Sequence, residues 1–299
     1  MLVSEFRTRF KEEGITPSLV SDFRDHVMEF YEAKGRHDMA WRHTDDPYKI
    51  VVSEVMLQQT QVSRVTVMYP AFIEKFPDVS ALAKADTTEL LAAWQGMGYN
   101  RRALNLQKLA KIIVDEYGGK IPDDPDLLVK LPGIGKATSC SIAAFAFNKR
   151  VVFIETNIRR VFIHYFFDEE SIVDDAEILP LVSAMLPDDP RSWYWALMDL
   201  GTALKTSVKN PNQRSKHYAK QKAFEGSDRQ IRGEVLRRMI ILETADAEEL
   251  ATELDEDAGR VHGVMEKMAD EGFFVREEEG KYRIMKRQPA EREHTYLYF

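Results

Sequence analysis

Apolar residues recur with the 3.6-residue period of an α-helix along almost the whole chain. The period is clearest in VSDFRDHVMEFYEAKG, ALNLQKLAKIIVDEYGG, AEILPLVSAML and SWYWALMDLGTAL, and it places their apolar side chains on one face of each helix. Capping residues agree, because Asp46 precedes Pro47 at one helix start and a Gly118-Gly119 pair ends another. Strand-like alternation is confined to FFVREEEGKYRI near the C-terminus. The sequence therefore predicts an all-α main domain.

The pattern changes after FEGSDRQIRG, which indicates a domain boundary. Helix patterns at about 230–242, 246–254 and 257–270 precede the strand-like segment, an order that resembles a winged helix-turn-helix. With 299 residues, the chain is at the size where single cores stop growing. We predict an all-α domain over residues 1–225 and a small winged-helix-like α+β domain over residues 226–299. The second domain fits either DNA binding or protein contact.

Charge is distributed unevenly. The net charge is −8, but residues 226–299 hold 12 basic and 18 acidic side chains, so much of the acidity is C-terminal. Residues 200–224 contain no acid and carry a set of basic side chains: Lys205, Lys209, Arg214, Lys216, His217, Lys220 and Lys222. Because phosphate binding is local, this stretch is a candidate nucleic-acid contact despite the net charge. The acidic C-terminal domain suits a protein partner.

Composition excludes several classes of protein. No apolar run approaches the ~18 residues that span a membrane, and the charged N-terminus lacks the apolar core of a secretory signal, so we expect a cytoplasmic protein without a membrane partner. Cys140 is the single cysteine, which excludes an internal disulfide and any multi-cysteine metal site.

Glu54 is a lone carboxylate in the helical segment SEVMLQQTQ. Its neighbours at i±3 and i±4 are mostly apolar: Ile50, Val51, Leu57 and Gln58. Burial among them would disfavour the charged form and raise the pKa of Glu54 toward the range of a general acid. The alternative is a solvated glutamate at a helix edge.

LPGIGKATS, residues 131–139, places two glycines two apart before a helix pattern. Such a turn points backbone N–H groups outward at a helix N-terminus, where they bind phosphate. Gly-x-Gly turns that only reverse the chain are common, but the L-P-G-I-G form followed by lysine is typical of a helix-hairpin-helix motif. We predict that Gly133, Gly135 and Lys136 contact a nucleic-acid backbone.

VVFIETNIRRV, residues 151–161, leads an apolar run into Glu155, Thr156 and Asn157 before another helix pattern. Glu155 and Thr156 lie where helix N-caps occur, so capping is one explanation for the acid. The other is a carboxylate that faces a substrate sugar.

Together these motifs resemble the helix-hairpin-helix DNA glycosylases, and among them the MutY-type adenine glycosylases. The resemblance covers residues 21–204, with the motifs in the family's order: AWRHTDDPYKIVVSEVMLQQTQV, GMGYNRRALNL, GGKIPDD and LPGIGKATS. It implies the two-lobed all-α fold of that superfamily. It also implies a monomeric, nucleoid-associated protein whose partner is double-stranded DNA with a lesion or mispair.

The resemblance implies a role for each matching residue. Glu54 resembles the acid that protonates the departing base, and Glu155 falls where the family has an aspartate that stabilises the sugar cation, with Asn157 beside it. The other matches are Trp41, Arg42 and Trp195 for the base pocket, Gln59 and Tyr99 for the wedge that enters the base stack, and Lys205, Arg214 and Lys216 for the DNA backbone. Two carboxyls in opposite protonation states and a flipped base are what this chemistry needs.

Four departures from the family pattern qualify these roles. Glu155 replaces aspartate, and a displacement of ~1 Å can cost ~100-fold in rate. Ala137 stands where the lyase branch, resembling endonuclease III, has its Schiff-base lysine, so no lyase activity is expected. Trp195 replaces the Glu or Gln that reads adenine, and the C-terminal region lacks the pattern of the family's 8-oxoguanine-recognising domain.

The fourth departure concerns the family's iron–sulfur loop. Its cysteine positions, at spacing C-x6-C-x2-C-x5-C, are filled by Lys205, Asn212, Ser215 and Gln221. Thiolates hold such clusters, so we predict no iron–sulfur cluster and no metal, leaving a monovalent cation at the hairpin as the one cofactor to consider.

We therefore predict a monofunctional DNA glycosylase of base excision repair that acts on adenine or another purine, hypoxanthine included. Thymine or uracil in G mispairs is the alternative substrate, because related mismatch enzymes share the scaffold. A catalytically silent DNA-structure binder is kept open by Glu155. An α-helical adaptor without DNA contact is the remaining class.

Overall fold

The computed structural model describes residues 2–219 and 224–285. In these residues almost all regular structure is helical, as predicted. The helices are α1 (Val3–Glu13), α2 (Pro17–Lys34), α3 (Pro47–Leu57), α4 (Val62–Lys75), α5 (Val79–Lys84), α6 (Thr87–Ala93), α7 (Arg101–Tyr117), α8 (Pro125–Leu128), α9 (Lys136–Phe147), α10 (Thr156–Phe166), α11 (Asp175–Met185), α12 (Pro190–Ser207), α13 (Asp228–Leu242), α14 (Ala247–Leu254) and α15 (Ala258–Asp270). The strands are β1 (Thr244–Ala245), β2 (Phe274–Arg276) and β3 (Tyr282–Ile284).

The chain divides into two compact units, each made of two stretches. Unit 1 comprises Met1–Gln58 and Ile121–Gln221, and unit 2 comprises Gln59–Lys120 and Lys222–Phe299. The predicted boundary near residue 225 stays a prediction. In the part of the chain that the structure describes, no helix has both the length and the apolar character needed to cross a bilayer.

Unit 1 is organised around α10. This helix packs against α1, α11 and α12, while α2 packs against α12 and α3 against α9. Aromatic side chains fill the core and meet edge to face; Phe23, for example, contacts both Phe166 at 4.8 Å and Trp193 at 6.2 Å between ring centroids. Each such pair adds about 0.5–1.5 kcal/mol beyond its burial. These contacts pack the C-terminal end of α10, where Phe166 lies, against α2.

Unit 2 contains the C-terminal elements. The predicted helix patterns at 230–242, 246–254 and 257–270 are confirmed as α13, α14 and α15, and the strand alternation as β2 and β3. The sheet is antiparallel with the order β1-β3-β2. Strand β1 was not predicted, because two residues are too few for alternation to show. The winged-helix-like assignment remains a prediction that this element order suits.

One long helical pattern is broken in the structure. The segment DPYKIVVSEVMLQQTQVSRVTVMYPAFIEKF keeps one period in sequence, yet α3 ends at Leu57 and α4 begins at Val62. At the break, Gln59 has a φ of 54°, in the left-handed region that side chains other than glycine rarely adopt. The interruption falls on a residue predicted to act as a wedge.

Candidate active site

Helix α3 presents Glu54 from a largely buried surface. The helix starts with Asp46, whose side chain accepts a hydrogen bond from the backbone N–H of Tyr48 at 3.0 Å, and with proline at its first position. Ile50 and Val51, one turn before Glu54, are buried in the core. The hydroxyl of Ser141 on α9 donates a hydrogen bond of 2.5 Å to Oε2 of Glu54.

The protein around Glu54 changes its acidity. Burial raises the pKa of Glu54 to about 7, and the negative charge of Glu155 acts in the same direction, while the Ser141 hydrogen bond and the charge of Arg42 oppose them. The side chain is partly exposed to solvent, but the protein atoms packed around the carboxyl remove most of its hydration and so raise its pKa. The predicted upward shift is confirmed, and near neutral pH this carboxyl holds a proton about half of the time.

Glu155 is the N-cap of α10. Its Oε1 accepts hydrogen bonds from the backbone N–H groups of Asn157 at 2.7 Å and Ile158 at 3.0 Å. Burial raises the pKa of Glu155, against these two hydrogen bonds and the charges of Arg160 and Arg159. The capping explanation from the sequence is therefore confirmed. It does not compete with a role toward a substrate, because the helix N-terminus itself favours a negative charge there.

Asn157 is held next to Glu155 by a close approach of two helices. Arg160 donates one hydrogen bond to Oδ1 of Asn157 at 2.7 Å and one to the carbonyl oxygen of Gly201 at 2.6 Å. A Cβ on Gly201 would lie 2.5 Å from the carbonyl oxygen of Asn157 and 2.6 Å from its Cβ. Only glycine lets α12 pass this close to α10.

Arg42 and Trp195 meet on one side of the site. The guanidinium of Arg42 lies 5.5 Å from the ring centroid of Trp195, and the Trp195 ring stacks on Phe145 at 6.0 Å with an interplanar angle of 16°. Trp41, the third predicted pocket residue, is 6% exposed. The structure thus brings Arg42 and Trp195 together as a cation–aromatic pair.

Asp199 fixes Arg42 in this position. Both terminal nitrogens of Arg42 donate to its carboxylate, at 2.8 and 2.9 Å, and Arg36 donates through its backbone N–H and its Nε, each at 2.7 Å. Burial alone would raise the pKa of Asp199, but the bonds and charges of Arg42 and Arg36 hold it below its usual range. A fully paired carboxylate of this kind orients the guanidinium that it binds.

The hairpin presents backbone donors to solvent. Gly133 has a φ of 81°, a conformation that suits glycine, and Gln58 donates from Nε2 to its carbonyl oxygen at 3.1 Å. Gly133, Gly135 and Lys136 are exposed. Gly135 caps α9 without a side-chain hydrogen bond, so the first N–H groups of α9 remain open to an anion.

The basic loop is tied to α10 by hydrogen bonds. Nδ2 of Asn212 donates to the carbonyl oxygen of Thr156 at 2.9 Å. The guanidinium of Arg214 donates to the carbonyl oxygens of Ile163 at 3.0 Å and Phe167 at 3.2 Å, at the C-terminal end of α10. Arg214 therefore acts first as an internal anchor, and its predicted phosphate contact stays a prediction. Lys205 and Lys216 are exposed, whereas Lys220 and Lys222 lie outside the described residues.

The same loop does not fit an iron–sulfur cluster. Where the family has cysteines, buried Asn212 bonds to α10, and Oγ of Ser215 accepts the backbone N–H of His217 at 3.0 Å. Lys205 is an exposed cation, and Gln221 lies outside the described residues. None of these groups is a thiolate, and Cys140 is the single cysteine of the sequence. Among residues 2–219 and 224–285, no three His, Cys, Asp or Glu side chains are grouped to hold a metal ion.

The two predicted wedge residues belong to unit 2 and share an unusual backbone. Gln59 has a φ of 54° and Tyr99 a φ of 46°, and such left-handed residues other than glycine cluster at functional sites. The Tyr99 hydroxyl accepts a hydrogen bond of 2.9 Å from Arg229 of α13. Its ring also lies between two guanidinium groups, with Arg102 at 5.6 Å and Arg229 at 6.0 Å from the centroid.

Three supporting residues were missed by the sequence analysis. Asp199 carried the same signal as Glu54, since it is a lone acid in the apolar helical segment SWYWALMDLGTAL. Gly201 carried a weaker one, as a glycine inside a helix. Ser141 carried none, because a serine in a helix usually bonds only to its own backbone.

Comparisons with known proteins identify the family of this chain. Residues 52–179 match the family model of the HhH-GPD superfamily base excision DNA repair protein. The chain is 35% identical over 228 residues to an adenine DNA glycosylase of Mycolicibacterium smegmatis, covering 70% of this chain and 78% of the relative. It is 31% identical over 304 residues to an adenine DNA glycosylase of Mycobacterium tuberculosis strain H37Rv, covering 91% and 96%.

A solved structure of a DNA glycosylase is also similar to this chain. The structure of a thermostable thymine-DNA glycosylase matches with a TM-score of 0.56 and 25% identity, over 65% of this chain and 91% of that chain. The fold and the relatives define a class of helix-hairpin-helix repair proteins. This chain belongs to the HhH-GPD superfamily of base excision DNA repair proteins and is a DNA glycosylase.

Proposed function

We propose that this protein is a monofunctional glycosylase that hydrolyses the bond between deoxyribose and a mispaired or damaged base in double-stranded DNA, with adenine or another purine as the preferred base. The observation that carries the proposal is Glu54, a carboxyl whose pKa is raised to about 7 in the same cluster as the charge of Glu155. The adenine DNA glycosylases among the relatives support the purine preference.

Glu54 supplies the acid. A purine leaves deoxyribose readily once a ring nitrogen is protonated, because the departing base is then neutral. Glu54 transfers its proton to that nitrogen, the electron pair of the glycosidic bond leaves with the base, and a carboxylate remains. A pKa near 7 lets one group hold this proton at physiological pH and still give it up.

Glu155 supplies the opposite charge. Loss of the base leaves an oxocarbenium-like sugar, which an ionised carboxylate stabilises. The backbone N–H groups of Asn157 and Ile158 bind the ionised form of Glu155 and counter part of the desolvation. A water molecule then forms a bond to the sugar carbon through its oxygen and gives one proton to the Glu155 carboxylate, which leaves an abasic site.

The base pocket and the DNA contacts follow from the surrounding residues. Trp195 is the partly exposed aromatic ring against which a flipped base would stack, and the buried guanidinium of Arg42 supports it from within the protein. The hairpin at Gly133 and Gly135 would hold a phosphate through backbone N–H groups. In unit 2, Gln59 and Tyr99 would fill the space that the flipped nucleotide vacates.

Ala137 supports the absence of a lyase step. A lyase needs an amine that forms a Schiff base with the sugar, and the position two residues after Gly135 carries a methyl group. We propose that the protein leaves the abasic strand uncut and works without a cluster or metal. Incubation of substrate with borohydride should trap no covalent complex.

Single-turnover base release is the decisive experiment. Duplexes carrying A, T, U or hypoxanthine opposite each normal base and 8-oxoguanine are incubated with wild type, Glu54→Gln and Glu155→Gln. Release that both variants abolish establishes the mechanism and identifies the base. Preference for T or U opposite G would assign the alternative that the thymine-DNA glycosylase structure raises. Tight, salt-sensitive binding with no release would instead indicate a silent DNA binder.

A further inference from the structure

Ser141 makes the direct polar contact with the proposed acid. Its Oγ lies 2.5 Å from Oε2 of Glu54 and 3.0 Å from the carbonyl oxygen of Thr138. A hydroxyl has one proton and so donates to one of these acceptors at a time. Within residues 2–219 and 224–285, Ser141 is the only hydrogen-bond partner of the Glu54 carboxyl, and Oε1 accepts no hydrogen bond there.

We infer that Ser141 is a positioning residue for Glu54: by donating to Oε2 it makes Oε1 the oxygen that carries the proton and delivers it to the departing base. This inference rests on the proposed function. A carboxyl that is protonated on an oxygen facing its own protein partner cannot present the proton to a substrate. A donor at Oε2 removes that arrangement, because Oε2 must then act as an acceptor.

The proton transfer balances with this hydrogen bond in place. The Oε1–H bond breaks, an N–H bond forms on the base, and the electron pair of the Oε1–H bond stays on the carboxylate. The Ser141 hydrogen bond then strengthens, because its acceptor has gained charge. The Thr138 carbonyl competes for the same hydroxyl proton, but its contact of 3.0 Å is longer than the 2.5 Å contact to Oε2. The shorter contact marks Oε2 as the preferred acceptor in both protonation states of Glu54.

Two charged groups also act on Glu54 from neighbouring elements. Glu155, at the start of α10, favours the neutral form, and Arg42, at the end of the short 3₁₀ turn Ala40–Arg42, favours the ionised form. Neither group is hydrogen-bonded to Glu54. Removal of the Ser141 hydroxyl therefore changes the one directional interaction and leaves both charges in place.

Ser141→Ala is the test, with Ser139→Ala as its matched control. Both serines lie on α9, both are buried, and both donate to a carbonyl three residues earlier; Ser139 donates to Lys136 at 2.9 Å. Only Ser141 contacts Glu54. Loss of a donor to a carboxylate should raise the pKa of Glu54 by about one unit in Ser141→Ala and leave it unchanged in Ser139→Ala.

The pKa is measured first without DNA. The free energy of unfolding is followed against pH for each serine variant, with Glu54 intact and with Glu54→Gln. The pH-dependent difference between each pair reports the titration of Glu54 alone. If the pKa of Glu54 in Ser141→Ala equals the pKa in wild type, the inference is overturned, whether or not that variant is less stable.

Base release is measured second, under single-turnover conditions across pH. In wild type the rate should fall as the pH rises through the pKa of Glu54, and this fall is the falling limb of the profile. In Ser141→Ala the falling limb should lie about one pH unit higher. The maximal rate, on the plateau at lower pH, should drop about tenfold because the acid is no longer oriented. DNA affinity should not change. The pH profile of Ser141→Cys, in which the thiol is a weaker donor, should lie between those of wild type and Ser141→Ala. A lower plateau with an unshifted limb would assign Ser141 to packing alone.

The two possible failures are distinguishable. If the wild type releases a base but Ser141→Ala leaves the limb unshifted, the inference about Ser141 is overturned and the proposed function stands. If the wild type releases no base from any duplex, the proposed function fails, and the delivery role of Ser141 fails with it.

Discussion

Gly201 of α12 lies so close to Asn157 of α10 that no side chain fits between them. A Cβ at position 201 would stand 2.5 Å from the Asn157 carbonyl oxygen, which belongs to backbone and cannot turn aside. Since α10 carries Glu155 at its N-cap, the spacing of two helices sets the position of a proposed catalytic carboxylate.

Gly201→Ala should therefore damage both stability and activity. Overpacking of this kind costs roughly 1–3 kcal/mol, and displacement of Asn157 and Glu155 by a few tenths of an ångström or more should slow base release at least tenfold. Denaturant unfolding and single-turnover release measure the two effects. Gly263→Ala on α15 is the control, because nothing lies within 4 Å of its Cβ; it should stabilise the fold by about 0.5–1 kcal/mol.

The rate of base release should have a bell-shaped pH dependence. The falling limb should lie near pH 7, where Glu54 loses its proton, and the rising limb above 4.5, because the pKa of Glu155 is raised from that value. The two groups interact, so the limbs report the pair. A rate that keeps rising beyond pH 8.5 would contradict Glu54 as the acid.

Glu54→Gln should stabilise the folded protein at alkaline pH. Folding raises the pKa of Glu54 from 4.5 to about 7, so the stability that this group contributes is present below pH 4.5 and is lost as pH rises through 7. Above pH 7 its ionisation costs up to roughly 3 kcal/mol. Urea unfolding at pH 8.5 should show the variant to be more stable than wild type, with the gain vanishing at pH 4. Glu74→Gln, at an exposed position of α4, controls for charge removal.

Asp199→Asn should destabilise the protein strongly. It leaves Arg42, whose side chain is 5% exposed, without its carboxylate, and breaking one partner of a buried pair costs about 3–5 kcal/mol. Base release should fall with it, since the pair formed by Arg42 and Trp195 loses its anchor. The comparison is Asp22→Asn, which removes the more exposed pair with Arg9 and should cost about 1 kcal/mol or less. Equal losses in the two variants would contradict the anchoring role.

Gln59→Gly should separate stability from activity. Glycine adopts a φ of 54° without strain, so the variant should be as stable as wild type or up to about 1 kcal/mol more stable. Base release should nevertheless fall, because no side chain remains to replace the flipped base. Asp255→Gly is the control, because Asp255 also has a φ of 54°, at the end of α14. It should change the stability by the same amount and leave the rate of base release as in wild type. Unaltered release in Gln59→Gly would remove Gln59 from the wedge.

Features that depend on residues near each other in sequence could be predicted without a structure. The helical period predicted the helices of both units, and the apolar neighbours Ile50 and Val51 predicted the raised pKa of Glu54, because i−3 and i−4 contacts are set by the helix itself. The capping geometry of Glu155 was foreseen for the same reason, since its hydrogen bonds reach only two and three residues ahead.

Features that depend on distant residues were decided by tertiary packing. Ser141 meets Glu54 across 87 residues, and Asp199 meets Arg42 across 157. No periodicity encodes such pairs, because they arise from which helix faces meet and at what separation. The sequence by itself determined an all-α chain with a lone acid on a buried helix and a second acid at a helix N-cap. Only the packing of α9 against α3 and of α12 against α10 decided which distant side chains contact and orient these two acids.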